Sequence, residues 1–356
     1  MLKEEDSHYL LKALELAKIR KGFCAPNPSV GAVIIKDKEI IGRGWHETCG
    51  ADHAEVMAFK SLSEEARGAT LYVTLMPCCH EGRTPPCTDK IIAQKIKRVV
   101  FGFKDPNPKV ASKSQQILQQ ANIEVVFLPL PNIDRFYQSY AFWWQHQRPF
   151  VTAKLAMSLN GKITGKEGVP VKITGKEAEM FTHKMRQQSD AILTTVKTIL
   201  NDDPSLNVRL NNETIAKPVY VLDSQLELSF TAKLFTTAKN ITLFYANGEN
   251  EKIKALEEKQ VRCIKVNEVN NNLNLTEVLN LIGQDGMQDV WVEAGGRVFA
   301  ALHKADLVQR SYIYVAPCCL DEEGYSAFMG DMHWLNQAKA VKWWPLGKDG
   351  CCELEW

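Results

Sequence analysis

Pro77-Cys78-Cys79-His80-Glu81-Gly82-Arg83-Thr84-Pro85-Pro86-Cys87 follows a strand-like run, Thr70–Leu75, and is preceded in the chain by His53-Ala54-Glu55. Thiolate and imidazole are zinc ligands. A catalytic zinc keeps its fourth tetrahedral position for water and lowers the pKa of that water towards neutrality. His53, Cys78 and Cys87 form such a three-ligand set, with Glu55 nearby to move protons rather than to bind metal. Cys78 stands between a strand and the next helix, where α/β folds gather ligands. Pro85-Pro86 hold the backbone and make Cys87 the expected start of that helix. His53 and Glu55 open another. The positive ends of two helices favour thiolate over thiol. Cys79, His80 and Cys49 are further donors that could complete a purely structural site with four protein ligands.

The surrounding sequence builds a sheet around this spot. Residues 7–21 carry Leu10, Leu11, Leu14 and Ala17 at helical spacing. Ser29–Ile35 and Glu39–Trp45 flank Lys36-Asp37-Lys38 as a hairpin. His53–Leu62, Thr88–Lys97 and Ser112–Gln120 read as helices, and Arg98–Phe103 and Ile123–Leu128 as strands. This pattern is an α/β sandwich. The aromatic-rich stretch 133–147 reads as a packed helix at the crossover to a second α/β unit. That unit has strands at Phe150–Met157, Ala191–Thr195, Pro218–Leu222, Ile241–Tyr245, Val261–Val266, Asp289–Val292 and Ser311–Val315. Its helix Glu177–Gln188 has Thr174 as the expected cap. Asn212–Ala216 and Asn247–Glu251 read as loops.

The length of 356 residues suits two domains. A hydrophobic share of 45% with 24% charged residues describes a globular chain, and a net charge of +1 gives no reason to expect nucleic acid or a membrane as partner. The N-terminus lacks the pattern of a signal peptide, and no apolar run is long enough to span a bilayer. Ten irregularly placed cysteines then read as mostly reduced thiols, and the expected location is cytoplasmic.

In the second half, no Gly-x-Gly-x-x-Gly follows the first strand. Gly295-Gly296, between the strand ending in Val292 and the helix Arg297–Lys304, is the more informative feature. Glycines there let the backbone and a helix N-terminus approach a phosphate. Arg186, taken alone, reads equally well as a surface salt bridge.

His-x-Glu followed by Pro-Cys-x-x-Cys is the signature of zinc-dependent base deaminases; here eight residues separate the two cysteines. With Pro26-Asn27-Pro28-Ser29-Val30-Gly31, Gly44-Trp45-His46 and Asp105-Pro106-Asn107-Pro108, the long Cys–Cys insert makes the chain resemble the bifunctional riboflavin-biosynthesis deaminase/reductases over nearly its whole length. The later segments carry the likeness onward: Lys154–Lys162, Ala191–Thr195, Asn201–Arg209 and Val292–Gly296. The resemblance implies a cytidine-deaminase-like α/β/α sandwich over 1–148, followed by a dihydrofolate-reductase-like α/β domain over 149–356. It implies zinc on His53, Cys78 and Cys87, with Glu55 as general acid/base and Asn27, His80 and Arg83 as candidates to hold the pyrimidine or its phosphate. It implies NADPH contacts at Ala156, Lys172, Thr198, Asp202, Gly295 and Gly296, and substrate contacts at Arg186, Leu206, Arg209 and Glu293.

The implied activity is deamination of 2,5-diamino-6-(5-phosphoribosylamino)pyrimidin-4(3H)-one, then NADPH-dependent reduction of the ribosyl group to ribityl phosphate. The partner is a small phosphorylated pyrimidine, and a homo-oligomer, dimer or tetramer, is left open. The sequence departs from the family's pattern at Met76, Cys79, Asn160, Pro170, Lys172 and Cys318-Cys319. Asn160 stands where Asp is usual. The rival reading is a single-function zinc deaminase, acting on a nucleotide or nucleic acid, with a non-catalytic C-terminal domain.

Overall fold

A computed structural model describes residues 2–79, 85–108, 113–329 and 333–356. It divides into two compact units, 1–147 and 148–356. The first unit runs α1 (Leu2–Lys18), β1 (Gly31–Lys36), β2 (Glu39–Trp45), α2 (Ala54–Lys60), β3 (Thr70–Leu75), α3 (Cys87–Ala93), β4 (Arg98–Phe103), α4 (Lys113–Gln120), β5 (Glu124–Phe127) and α5 (Pro131–His146).

Its five strands lie in the order β2-β1-β3-β4-β5. β1 is antiparallel to both neighbours, and β3, β4 and β5 are parallel. The β1–β2 turn has Asp37 and Lys38 at φ 48° and 68°, the left-handed pair that matches a hairpin's twist. Side chains alternate across a strand. Ala32, Ile34, Leu71, Val73, Val99 and Phe101 therefore face Ala54, Ala58, Ile91 and Leu118 of α2, α3 and α4. Val33, Ile35, Tyr72 and Val100 face Leu10, Ala13, Leu14, Ile133 and Tyr137 of α1 and α5. Burial on both faces explains why these strands read as unbroken apolar runs. The result is a three-layer α/β/α sandwich.

Two glycines set how closely the helices seat. A Cβ on Gly31 would enter the backbone of α1 at Ala13 and Ala17; one on Gly44 would enter α2 at Ala54 and Ala58. Gly44 thus fixes the height of the helix whose first turn carries Glu55.

The second unit runs β6 (Phe150–Ser158), α6 (Lys176–Gln188), β7 (Ala191–Thr195), α7 (Val196–Asp202), β8 (Val208–Leu210), β9 (Glu213–Ile215), β10 (Pro218–Leu222), α8 (Leu234–Thr237), β11 (Asn240–Tyr245), α9 (Asn250–Glu258), β12 (Val261–Lys265), β13 (Glu268–Val269), β14 (Asn272–Leu273), α10 (Leu275–Gln284), β15 (Asp289–Glu293), α11 (Gly296–Lys304), β16 (Arg310–Ala316), β17 (Ala340–Leu346) and β18 (Asp349–Glu355). Nine strands form one sheet, ordered β12-β11-β10-β7-β15-β6-β16-β18-β17. It is parallel from β12 to β16 and antiparallel at β18 and β17. The order puts the C-terminal ends of β7, β15, β6 and β16 side by side, where open α/β sheets bind ligands.

Three expectations need correction. Thr174 does not cap α6; Gly175 does, and its N–H donates to Asp349 Oδ2 at 2.8 Å. A distant carboxylate thus holds the cap residue's own N–H, and no side chain caps the first turn. The stretch 212–216 is not wholly loop: Glu213–Ile215 pairs with Val208–Leu210 across the left-handed Asn211-Asn212 turn. Asn247–Glu251 likewise gives way to helix at Asn250.

Gly44→Ala is expected to destabilise the chain by about 1–3 kcal/mol through overpacking and to weaken metal retention, because α2 must lift. Thermal unfolding and metal content on the same sample check both effects.

Candidate functional site

His53 is the N-cap of α2, and Cys87 is the first residue of α3, after Pro86. Cys78 follows β3. These residues meet: all three ligand atoms lie within 4.8 Å of one another. His53 Nδ1 is 3.2 Å from Cys87 Sγ and 3.5 Å from Cys78 Sγ. Ligand atoms around a tetrahedral zinc with ordinary bond lengths stand about 3.5–3.8 Å apart, so the three donors are gathered as that ion requires. Among the described residues this is the one cluster with metal-ligating geometry, and Cys79 and Cys49 lie outside it. His80 and Arg83 lie outside the described residues.

The donors already interact electrostatically. A hydrogen bond from Cys87 pulls Cys78 down to about 4, and Cys87 is correspondingly pushed up by the Cys78 sulfur. The hydrogen bond to Cys78 raises His53 to about 9. The Cys87 backbone N–H also points at Cys78 Sγ, at 3.4 Å. Glu55 is 3% exposed, and burial pushes its carboxyl up.

A cleft of about 360 Å³ opens on this cluster. Its polar wall includes Asn27, His46, Asp105 and Asn107. His46 Nδ1 donates to the Asp52 carbonyl at 3.0 Å, which leaves Nε2 to accept from Asn27 Nδ2 at 3.2 Å. Burial lowers the His46 pKa, in keeping with that neutral form. Asp105 Oδ1 accepts from Tyr140 Oη and from the Asn107 N–H. The sequence marks His46 and Asp105 only by their place in Gly44-Trp45-His46 and Asp105-Pro106-Asn107-Pro108, which carries no sign of their role in the cleft wall.

The second cluster sits at the C-terminal ends of β6, β7 and β15. Arg186 and Glu293 form a two-pronged ion pair, Nε to Oε1 at 2.5 Å and Nη2 to Oε2 at 2.9 Å. Nη1 donates to the Asn207 carbonyl at 2.9 Å. Burial alone would raise Glu293; Arg186, Lys154 and the Trp291 indole overcome it and hold the carboxyl at about 2. Much of the Arg186 guanidinium is therefore already engaged. Arg209 is more exposed, donates to Asn207 Oδ1 at 2.6 Å, and faces Glu179. Leu206, beside Asn207, is buried yet left-handed at φ 45°, a conformation costly for a branched side chain.

Lys154 is the residue sequence reading passed over. It lies within electrostatic reach of Glu293, Arg186 and Asp202, and burial lowers its pKa. Asp202 is raised by burial and held down by Lys154. A lysine inside an otherwise apolar strand was the signal. Thr195 caps α7: its Oγ1 accepts from the Thr198 N–H at 3.2 Å, and the two hydroxyls lie 3.0 Å apart. Ala156 pairs with Tyr314 across β6 and β16. Lys172 is exposed and bonds Glu179 at 3.0 Å, the carboxylate that Arg209 also faces. Gly295 caps α11 with no side-chain bond, and a Cβ there would meet nothing within 4 Å. An open helix start of this kind suits an anionic group.

Comparison with known proteins gives two domain-level matches. Residues 3–103 match the cytidine and deoxycytidylate deaminase zinc-binding region, and residues 149–352 the RibD C-terminal domain. The chain is 39% identical to riboflavin biosynthesis protein RibD of Aquifex aeolicus over 90% of each chain. It is 36% identical to the RibD of Escherichia coli over 98% of this chain and 99% of that one. Its fold is similar to the solved structure of Acinetobacter baumannii RibD, with a TM-score of 0.88 at 33% identity, covering 100% of this chain and 99% of that. It is similar also to a diaminohydroxyphosphoribosylaminopyrimidine deaminase/5-amino-6-(5-phosphoribosylamino)uracil reductase from Thermotoga maritima, with a TM-score of 0.87 at 28% identity, covering 100% and 99%. The match over 149–352 tells against the single-function rival. No helix among the described residues is long and apolar enough to cross a membrane.

The ion pair has a pH signature. Glu293 falls from its ordinary 4.5 to about 2, so its stabilisation is present above pH 4.5 and is lost as pH falls towards 2. Glu293→Gln, which leaves Arg186 buried and unpaired, is expected to cost about 3 kcal/mol at pH 7. The difference from wild type should narrow at pH 3, measured by calorimetric unfolding at both pH values.

Proposed function

The chain belongs to the RibD family, bifunctional enzymes of riboflavin biosynthesis with a deaminase and a reductase domain, and from that premise we propose how its own residues divide the two reactions. The first unit deaminates 2,5-diamino-6-(5-phosphoribosylamino)pyrimidin-4(3H)-one. The second reduces the ribosyl group of the product to ribityl phosphate. The observation that carries the reading is the meeting of His53, Cys78 and Cys87 beside buried Glu55.

His53, Cys78 and Cys87 would hold one zinc per chain. Zinc, when bound, supplies a Lewis acid that makes water nucleophilic near neutral pH. Glu55 takes a proton from the attacking water and passes it to the ring's exocyclic amine, which leaves as ammonia while the ring carbon gains a carbonyl. Burial keeps bulk water from competing for that proton. Asn27, paired with His46, orients the ring, and His80 contributes from the Cys–Cys insert.

In the second unit, Gly295 and Gly296 offer the start of α11 to a phosphate of NADPH. Ala156, Lys172, Thr198 and Asp202 flank the cofactor. NADPH, when bound, supplies the hydride for C1 of the opened ribose. Glu293, held ionised by Arg186, accepts hydrogen bonds from sugar hydroxyls. Arg209 and the remaining donors of Arg186 hold the phosphate, and the left-handed Leu206 turns the backbone between them.

Glu55→Gln should keep zinc yet lose about 10²–10⁴-fold in deamination, while NADPH oxidation with supplied deaminated intermediate continues. A variant that still deaminates at the wild-type rate would remove Glu55 from this role. Zinc analysis of Cys87→Ser and Cys79→Ser tests the ligand set: the first should lose metal and the second retain it.

A further inference from the structure

Asn160 is built into the junction of two loops. Its Nδ2 donates to the Leu320 carbonyl at 2.7 Å, and its Oδ1 accepts from the Leu320 N–H at 3.0 Å and from Ser158 Oγ at 2.6 Å. One side chain thus both donates to and accepts from the same peptide residue. A neutral amide can do this and an ionised aspartate cannot, because the latter would turn a second acceptor oxygen towards the Leu320 carbonyl.

The clamp does not stand alone. The Leu159 N–H donates to the Cys318 carbonyl, and the Ala327 N–H to the Gly161 carbonyl, each at 2.8 Å. Lys162 Nζ donates to the carbonyls of Glu322 and Gly324 at 2.7 and 2.9 Å. The turn after β6 is thereby fastened along the loop after β16. The far end of that loop presses on the proposed phosphate turn: a Cβ on Gly296 would lie 2.6 Å from the Ala327 carbonyl oxygen.

We propose that Asn160 is a positioning residue of the reductase site, whose two-way clamp on Leu320 fixes the loop that seats the Gly295-Gly296 turn for NADPH. The proposal rests on the reading of that turn as the cofactor's phosphate cradle. Asn160 does not touch the cofactor; it acts through the 320–327 segment.

Two variants separate the clamp from a simple charge effect. Asn160→Ala removes the bonds without adding charge, whereas Asn160→Asp removes one bond and adds a carboxylate. Both are expected to raise the dissociation constant for NADPH about fivefold or more, measured by fluorescence titration without substrate. Turnover at saturating NADPH should stay within about twofold of wild type, and deamination should be unchanged. Hydrogen exchange at the Leu320 amide in cofactor-free protein should quicken in Asn160→Ala. Weakened NADPH binding in Asn160→Asp alone would overturn the clamp in favour of charge repulsion, and so would unchanged Leu320 exchange in Asn160→Ala. Wild-type protein that fails to bind NADPH would instead overturn the reading of the cradle, and the clamp's role with it.

Discussion

Two short helices begin at one point. α2 is capped by His53 and α3 opens with Cys87, and the chain leaving β3 brings Cys78 between them. Everything in the first unit serves this convergence. Gly44 lets α2 settle onto β2, and Ala54 and Ala58 give it a flat underside. The parallel pairing of β3 with β4 sets where the chain leaves the sheet. A ligand set this compact needs both helix starts held to within a fraction of an ångström, so packing far from the metal position is part of the site's chemistry.

The second unit assembles its site differently. Its charges are hard rather than soft: Arg186 and Glu293 form a two-pronged ion pair, Lys154 lies within electrostatic reach of both, and Asp202 within reach of Lys154. Burying charge is favourable only when each is paired. Arg186 is paired by Glu293 and Asn207, and Glu293 in turn by the Trp291 indole. Glu293 therefore stays ionised without solvent. Under the proposed function, a hydride acceptor bound there would meet a preorganised electrostatic environment.

The two sites were unequally legible. His53, Glu55, Cys78 and Cys87 were readable because few chemistries need that residue set within a short span, and helix starts can be read from proline and polar residues. The proposed second site draws on positions 154, 186, 202 and 293, on two strands and two helices that only the tertiary fold brings together. Lys154 carries no decisive signal in the sequence, because one lysine in a strand reads as an edge or a solvent-reaching stem. Thr174 was misread as a cap because its replacement, the bond from Gly175 to Asp349, spans most of the domain. The hairpin of β17 and β18 was not foreseen: Pro345 and the tryptophan pair before it obscure the alternation expected of a strand.

X-ray absorption at the zinc edge of the purified, metal-replete chain tests the ligand set and its open position together. The expected spectrum has two sulfur neighbours at about 2.3 Å and two lighter atoms at about 2.0–2.1 Å, one of them exchangeable water. A third sulfur at bonding distance, or four protein ligands with no water, would contradict a catalytic zinc held by His53, Cys78 and Cys87.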